Sequence, residues 1–366
     1  MSLENRFYFI GDIKIPKDKD KFYKTYEPED KSYQIHTVTF MVQESPNNGV
    51  WVELNGFKPN KSIKTTGVYN KETKKSAKLD IPVDKRFDAD QIEKVANFAK
   101  TFVDTGEGEK QFISSYDAVV YLATRIPEML VEGKVKLKVS GTIENRVGKG
   151  KVYTSFVPSR VRMASPDDEN VLDASMVLYY NKDSYDKSRF DDEKKIDFFA
   201  YVQDYDRPSK SNKYFPMSFV YNAEGHKKER VQYIVKNLKT DESNMLAMRW
   251  KIKVFNGAEE VEFDESMLTD AQKEEIAIGL STIDDFRPSG NPLGGNTREY
   301  RLFRPDLKDT KFSEGAFETG LTADEFAEQI VAMEKVDKKQ DEKVSNKVVD
   351  DLFEDDTVVD DDEDWL

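Results

Sequence analysis

The side chains here that could act on another molecule are carboxylates, cations and aromatic rings, because other reactive types are nearly missing. There is no cysteine and there are only two histidines, His36 and His226. That removes disulfides, thiolate ligands and cysteine nucleophiles, and leaves little for a zinc cluster or a histidine-based triad. His36 has no second histidine nearby in sequence, and His226 lies in the charged turn EGHKKE, so neither has an evident catalytic partner. The adjacent acids Asp191-Asp192 and Asp284-Asp285 could in principle hold Mg²⁺, but such pairs on loops and helix ends are ordinarily solvated. No G-x-x-x-x-G-K-[ST] spacing occurs, and the glycine-rich RPSGNPLGGN (287–296) is not followed by the helix start that a phosphate cradle needs. The expectation is a protein that is not an enzyme and carries no metal or cofactor.

What remains is binding chemistry. The 366 residues carry 56 Lys+Arg and 70 Asp+Glu, a formal charge of -14. Ten of those acids fall in DDLFEDDTVVDDDEDWL (350–366), which holds no base, so residues 1–349 stand at only -4. Basic stretches lie at 58–86, 134–162 and 207–239, where lysine and arginine outnumber acids nine to three, eight to one and eight to two. Cations concentrated in strand-and-loop regions can share one electropositive groove for a polyanion. No apolar run approaches the roughly 18 residues of a membrane span, and the first ten residues lack a signal pattern, so a soluble, cytoplasmic protein is expected.

Strands must position these residues, because the dominant pattern is period-2 alternation rich in β-branched and aromatic residues. Strands are expected at 7–15, 32–42 and 49–57, with Asn48-Gly49 as a hairpin signal and Gly11 marking a bend or bulge. A lysine-rich loop should run from Lys58 to about Arg86, followed by helices at 88–103 and 114–130 and strands at 135–143 and 151–163. Beyond an acidic seam at Asp167, Asp168 and Glu169, strands are expected at 174–180, 195–205, 213–222, 248–255, 261–263 and 298–303. Helices should interrupt them at 228–239, 269–280 and 322–333. The fold class is therefore mainly β with inserted helices, an OB-type β-barrel architecture, with a generic antiparallel sandwich as the alternative. The organisation is two tandem β-barrel domains, 1–165 and 166–334, and a flexible linker with a disordered acidic tail, 335–366.

Splitting each strand into two faces identifies what could touch a ligand. Trp51, Phe57, Phe199, Tyr201 and Tyr214 lie opposite the apolar rows and should face outward, whereas Trp250 falls in a core row. Lys136 and Lys138 share an outward face, as do Arg249, Lys251 and Lys253. Lys64 and Lys75 in the basic loop, and Arg146, Lys149 and Lys151 around the turn NRVGKG, add cations. Flat rings stack on unpaired bases at about 1–3 kcal/mol each while cations neutralise phosphates, a combination suited to single strands. The competing possibility is that helices 88–103 or 269–280 cover these faces and make the rings core residues.

The last residues, Asp360, Asp361, Asp362, Glu363, Asp364, Trp365 and Leu366, form a polyanion closed by an apolar tip. This segment resembles the C-terminal tail of bacterial and bacteriophage single-stranded-DNA-binding proteins. VEGKVKLKVSGTIENRVGKGKVYTSFVPSRVRM (131–163) is similar to the last two strands of an OB domain in that family. The resemblance implies coating of single-stranded DNA in replication and recombination. It also implies a tail that recruits replication proteins and competes with DNA for the basic groove, in the cytoplasm of a bacterial host if phage-encoded. Two other classes stay open: an acidic adaptor that binds replication enzymes without touching DNA, and a structural or virion β-protein. Self-association and RNA binding are likewise open.

Overall fold

In the computed structural model, described over residues 5–28, 33–133, 135–257, 268–286, 297–308 and 310–332, the alternating segments form two successive groups of five strands. The first group is β1 (Arg6–Lys14), β2 (Ile35–Ser45), β3 (Asn48–Phe57) and, after a side hairpin of β4 (Ser62–Asn70) and β5 (Lys75–Pro82) and helix α1 (Ser115–Val131), β6 (Lys136–Gly148) and β7 (Lys151–Met163). Antiparallel pairing runs β3–β2–β1–β6–β7, and β7 lies back against β3. The second group is β8 (Val171–Tyr180), β9 (Lys195–Asp206), β10 (Ser211–Asn222), helix α2 (Lys228–Leu238), β11 (Leu246–Gly257) and, after helix α3 (Asp270–Ala277), β12 (Thr297–Pro305). It repeats the order β10–β9–β8–β11–β12 and closes through a parallel bridge, Val220 to Arg301. A five-stranded, partly open Greek-key barrel is the OB type, here with a helix between the third and fourth strands each time. No described helix is long and apolar enough to cross a membrane.

Period-2 alternation fills both interiors. Phe7, Phe9, Val38, Phe40, Val52, Leu137, Val139 and Phe156 point into the first barrel, and α1 adds Leu122, Ile126 and Met129 at helical spacing. Phe198, Val202, Phe219, Trp250 and Ile252 fill the second, so Trp250 is the core residue expected. Each fully buried side chain of this size contributes roughly 1.5–3 kcal/mol.

Gly11 is where β1 changes partner. Residues 6–10 pair with β8 and residues 12–14 with β2. A Cβ at Gly11 would stand 2.0 Å from the Gln43 carbonyl oxygen, so only glycine lets the two backbones approach.

The barrels are joined through their first strands, antiparallel from Arg6–Ser175 to Ile10–Val171. Reciprocal contacts flank this seam. In one direction the Asn145 N–H of β6 donates to Asp204 Oδ2 of β9 at 2.6 Å. In the other, the Asn256 N–H of β11 donates to Asn48 Oδ1 of β3 at 2.9 Å. The fourth strand of each barrel is thus tied to the second-to-third-strand hairpin of the other.

Three local expectations are corrected. Residues 88–103 do not form one helix: Ala89–Lys94 is helical, Asn97–Ala99 is a 3₁₀ turn and Thr101–Asp104 is a strand parallel to β7. β-branched Thr101 and Val103 beside Phe102 favour pairing onto that open edge over a further helical turn. The lysine-rich loop is largely the hairpin β4–β5, whose few apolar residues, Ile63, Leu79 and Ile81, pack with Val95 and Ile113. Helix 322–333 shrinks to Ala323–Ala327, after which the chain extends to bridge Ile330 with Tyr214. The strand expected at 261–263 and the acidic tail lie outside the described residues.

Candidate nucleic-acid interface

The outer face of the β2–β3 hairpin carries two aromatic rings. Val50, Val52 and Leu54 point inward, which turns Trp51, Glu53, Asn55 and Phe57 outward. Trp51 is half-buried opposite Met41, and Phe57, 60% exposed, lies opposite Ile35. The Tyr33 ring meets Phe57 edge-on at 5.6 Å, so Phe57 is braced and keeps a free flank. Thr37 Oγ1 donates to Asn55 Oδ1 across the strands, which holds the polar middle of the face. Beside it Lys58 Nζ donates to Gln34 Oε1 at 3.1 Å.

Other hairpins supply cations, and their turns have an unusual composition. The non-glycine residues with positive φ among the described residues are Lys74 (52°), Lys149 (46°), Lys194 (55°) and Lys210 (53°). Lys149 and Gly150 form a two-residue turn with both φ values positive, the I′ geometry that matches strand twist. Lysine in such a position costs on the order of 1–2 kcal/mol relative to glycine. Lys74 and Lys210 occupy the tips of β4–β5 and β9–β10, so three hairpins present a cation at a strained position. Lys64, Lys75 and Lys151 are exposed on the flanking strands, and the Arg146 guanidinium stands 5.5 Å above the Tyr153 ring. Sequence reasoning missed exposed Tyr69 on β4 and Phe87, the latter with the Arg86 guanidinium 4.3 Å above its ring. Alternation could have flagged Tyr69 had β4 been recognised as a strand.

Two expected stacking platforms are corrected. Tyr214 is only 4% exposed and Tyr201 is half-buried, because the chain after β12 wraps the second barrel. This strap, residues 310–332, lays Phe312, Phe317 and Phe326 over Val177, Tyr179, Tyr201, Tyr214 and Ala247. Its short helix is fastened by Thr322, whose Oγ1 accepts from the Glu325 N–H while Glu325 caps back. Burial pushes the phenols of Tyr179 and Tyr214 up from their ordinary range. The expected covers, 88–103 and 269–280, were the wrong segments. Phe199 stays half-exposed on β9.

The expected cation rows do face outward, but carboxylates from elsewhere meet them. Lys138 pairs with Asp168 at 2.8 Å, Lys251 with Asp306 at 2.9 Å and Lys253 with Asp173 at 2.6 Å. Lys136 donates to the Pro166 and Asp168 carbonyls, and the Arg249 guanidinium lies 5.7 Å from the Phe312 ring. Hydrogen bonding to Asp168 raises the Lys138 ammonium and, reciprocally, lowers the Asp168 carboxyl. Burial opposes ionisation of Asp306, yet the Lys251 contact leaves its carboxyl below the usual range. The more exposed Lys253–Asp173 pair is of a kind worth about 0–1 kcal/mol, whereas Asp306 is buried. Asp191 and Asp192 are exposed in the helical turn Phe190–Glu193, and tail residues 360–366 lie outside the described residues.

No family model and no curated protein matches this chain. Among solved structures it is similar to a deletion variant of the single-stranded DNA binding protein from Thermus aquaticus, at 7% identity and a TM-score of 0.30, over 84% of this chain and 95% of that one.

Proposed function

We propose that this chain binds single-stranded DNA without sequence preference, chiefly on the outer face of β2–β3. The observation that carries this reading is the outward pair of half-buried Trp51 and exposed Phe57, on a chain whose hairpin tips hold Lys74 and Lys149 at positive φ. Glycine or asparagine would occupy those turn positions more cheaply, so a cation there supports a use for charge at the tip. Bases stack on the rings while phosphates run between the hairpins, and exposed bases are a property of single strands alone.

The acidic segment 350–366 gives the second part of the reading. Ten carboxylates are a polyanion that competes with DNA for the same lysines, and Trp365 with Leu366 suits an apolar pocket bordered by bases. Such a segment recruits replication and recombination proteins to a coated strand. The role proposed is therefore protection and hand-over of single strands in bacteriophage-type DNA replication, without catalysis. A competition assay tests it: unlabelled dT oligomer should displace labelled dT oligomer from the full chain, and equal masses of duplex should not. Equal displacement by duplex would rule the reading out.

A further inference from the structure

Strands β7, β6, β1, β8, β11 and β12 hydrogen-bond as one sheet that crosses the junction between the barrels. Register fixes what shares its outer face. One row runs Arg160, Ser140, Tyr8, Asp173, Lys253 and Arg301, and the next carries Arg6 and Arg304. The strap covers Val177 and Tyr179, farther along β8, and its cluster does not include this row.

Two rings stand on this face. Tyr8 is 45% exposed at the seam, and Phe303 is 38% exposed on β12. Phe303 faces out by alternation with buried Tyr300 and Leu302, and the register slip that follows it keeps Arg304 on the same face. β7, the corresponding strand of the first barrel, slips in the same way at Ser159. The Arg230 guanidinium lies 5.1 Å and the Lys253 ammonium 5.7 Å from the Phe303 ring centroid. With two cations over a half-open ring, a base that takes up the ring hands those cations to its neighbouring phosphates. Asp173, the acid within the row, is already held by Lys253 at 2.6 Å.

We propose that this seam face is a second site for single-stranded nucleic acid, with Phe303 and Tyr8 as platforms and Arg230, Lys253 and Arg304 as phosphate partners. The site rests on the single-strand reading above and extends it to the junction between the barrels. Charge decides against a second copy of the chain as the occupant. A two-fold contact would set the same cations against each other.

The test uses full-length parent, Phe303→Leu and Tyr8→Ala/Phe303→Leu chains with matching thermal midpoints, and Trp51→Ala as comparator. A short dT oligomer should titrate to two per parent chain and to one per chain in the Phe303 variants. Their remaining site should keep the parent's tighter affinity, and Trp51→Ala should instead weaken that tighter site. Iodouracil-substituted oligomer should photo-crosslink to peptides holding Phe303 or Tyr8. Two oligomers per chain in the Phe303 variants, or one in the parent, overturns the seam site while leaving β2–β3 binding intact. A change of sedimenting mass in these variants instead assigns the face to self-association and likewise overturns it. A parent that binds no oligomer defeats the broader reading, a distinct result.

Discussion

The Phe326 ring stands edge-on to Tyr201 with centroids 5.0 Å apart, and it tilts against Tyr214 at 4.3 Å. That contact separates two barrels that otherwise share one pairing order. On the outer face of β9–β10 the chain's own strap buries Tyr214 and packs on Tyr201, leaving Phe199 half-exposed, whereas the equivalent face of β2–β3 carries half-buried Trp51 and exposed Phe57. Duplication of a barrel therefore does not duplicate its open surface.

Substitutions at equivalent faces should behave oppositely. Trp51→Ala should weaken dT binding by about 1–3 kcal/mol, the worth of one stacked base. Tyr201→Ala should leave that affinity unchanged and lower the thermal midpoint, because it opens a cavity under Phe326. Anisotropy and calorimetry on the same preparations separate the two effects, and a loss of affinity in Tyr201→Ala would mean that the strap opens during binding.

The strained turn lysines predict a trade-off between stability and binding. Lys149→Gly relieves a positive φ of 46° and should stabilise the fold by about 1 kcal/mol in urea. The same change should weaken dT binding and reduce the slope of log affinity against log salt by about 0.7, the value for one phosphate contact on a single strand. A slope equal to the parent's would show that the turn does not touch the backbone.

How much of this was legible in sequence follows from where each determinant sits. Alternation is local, so the ten barrel strands and Trp250 in the core could be read directly. The hairpin β4–β5 was hidden because Ile63, Leu79 and Ile81 are scattered among lysines and threonines and rely on Val95 and Ile113 from outside it. Tyr201 and Tyr214 have outward parity, but their cover arrives from Phe326, more than a hundred residues later. Lys251 and Lys253 were assigned to the correct face, while their carboxylate partners, Asp306 and Asp173, belong to other segments. Phe303 alternates with inward Tyr300 and Leu302 and was legible in REYRLF, but that strand was not split into its two faces.

His36 makes stability depend on pH. Its Nδ1 lies 2.6 Å from the Tyr23 hydroxyl, its ring packs edge-on to Tyr116, and burial, helped by the charge of Lys58, lowers its affinity for a proton. The unfolded chain takes that proton near 6.5 and the native chain only at lower pH. The unfolded state thus binds more protons in that window, so stability is full above about pH 6.5 and falls as pH drops through it. His226 is lowered by burial too and acts with the same sign. His36→Gln should therefore reduce, without abolishing, the drop in thermal midpoint between about pH 7 and pH 5.5. An unchanged drop would place the effect elsewhere.

Removing 350–366 takes ten acids from the chain. The truncated protein should bind dT oligomer more tightly at low salt and converge with the parent at high salt, where screening weakens the intramolecular competitor. On the proposed reading it should also lose co-precipitation with replication proteins. Equal affinities at low salt would mean that the acidic segment never occupies the DNA path.

The most direct measurement is fluorescence anisotropy of a labelled dT oligomer titrated with full-length protein at two salt concentrations, beside the matching duplex. The account predicts saturable binding of dT, at least about tenfold tighter than duplex, weakening steeply between roughly 50 and 200 mM salt as neutralised phosphates regain their counterions. Duplex bound as tightly as dT, or dT binding that ignores salt, would contradict it.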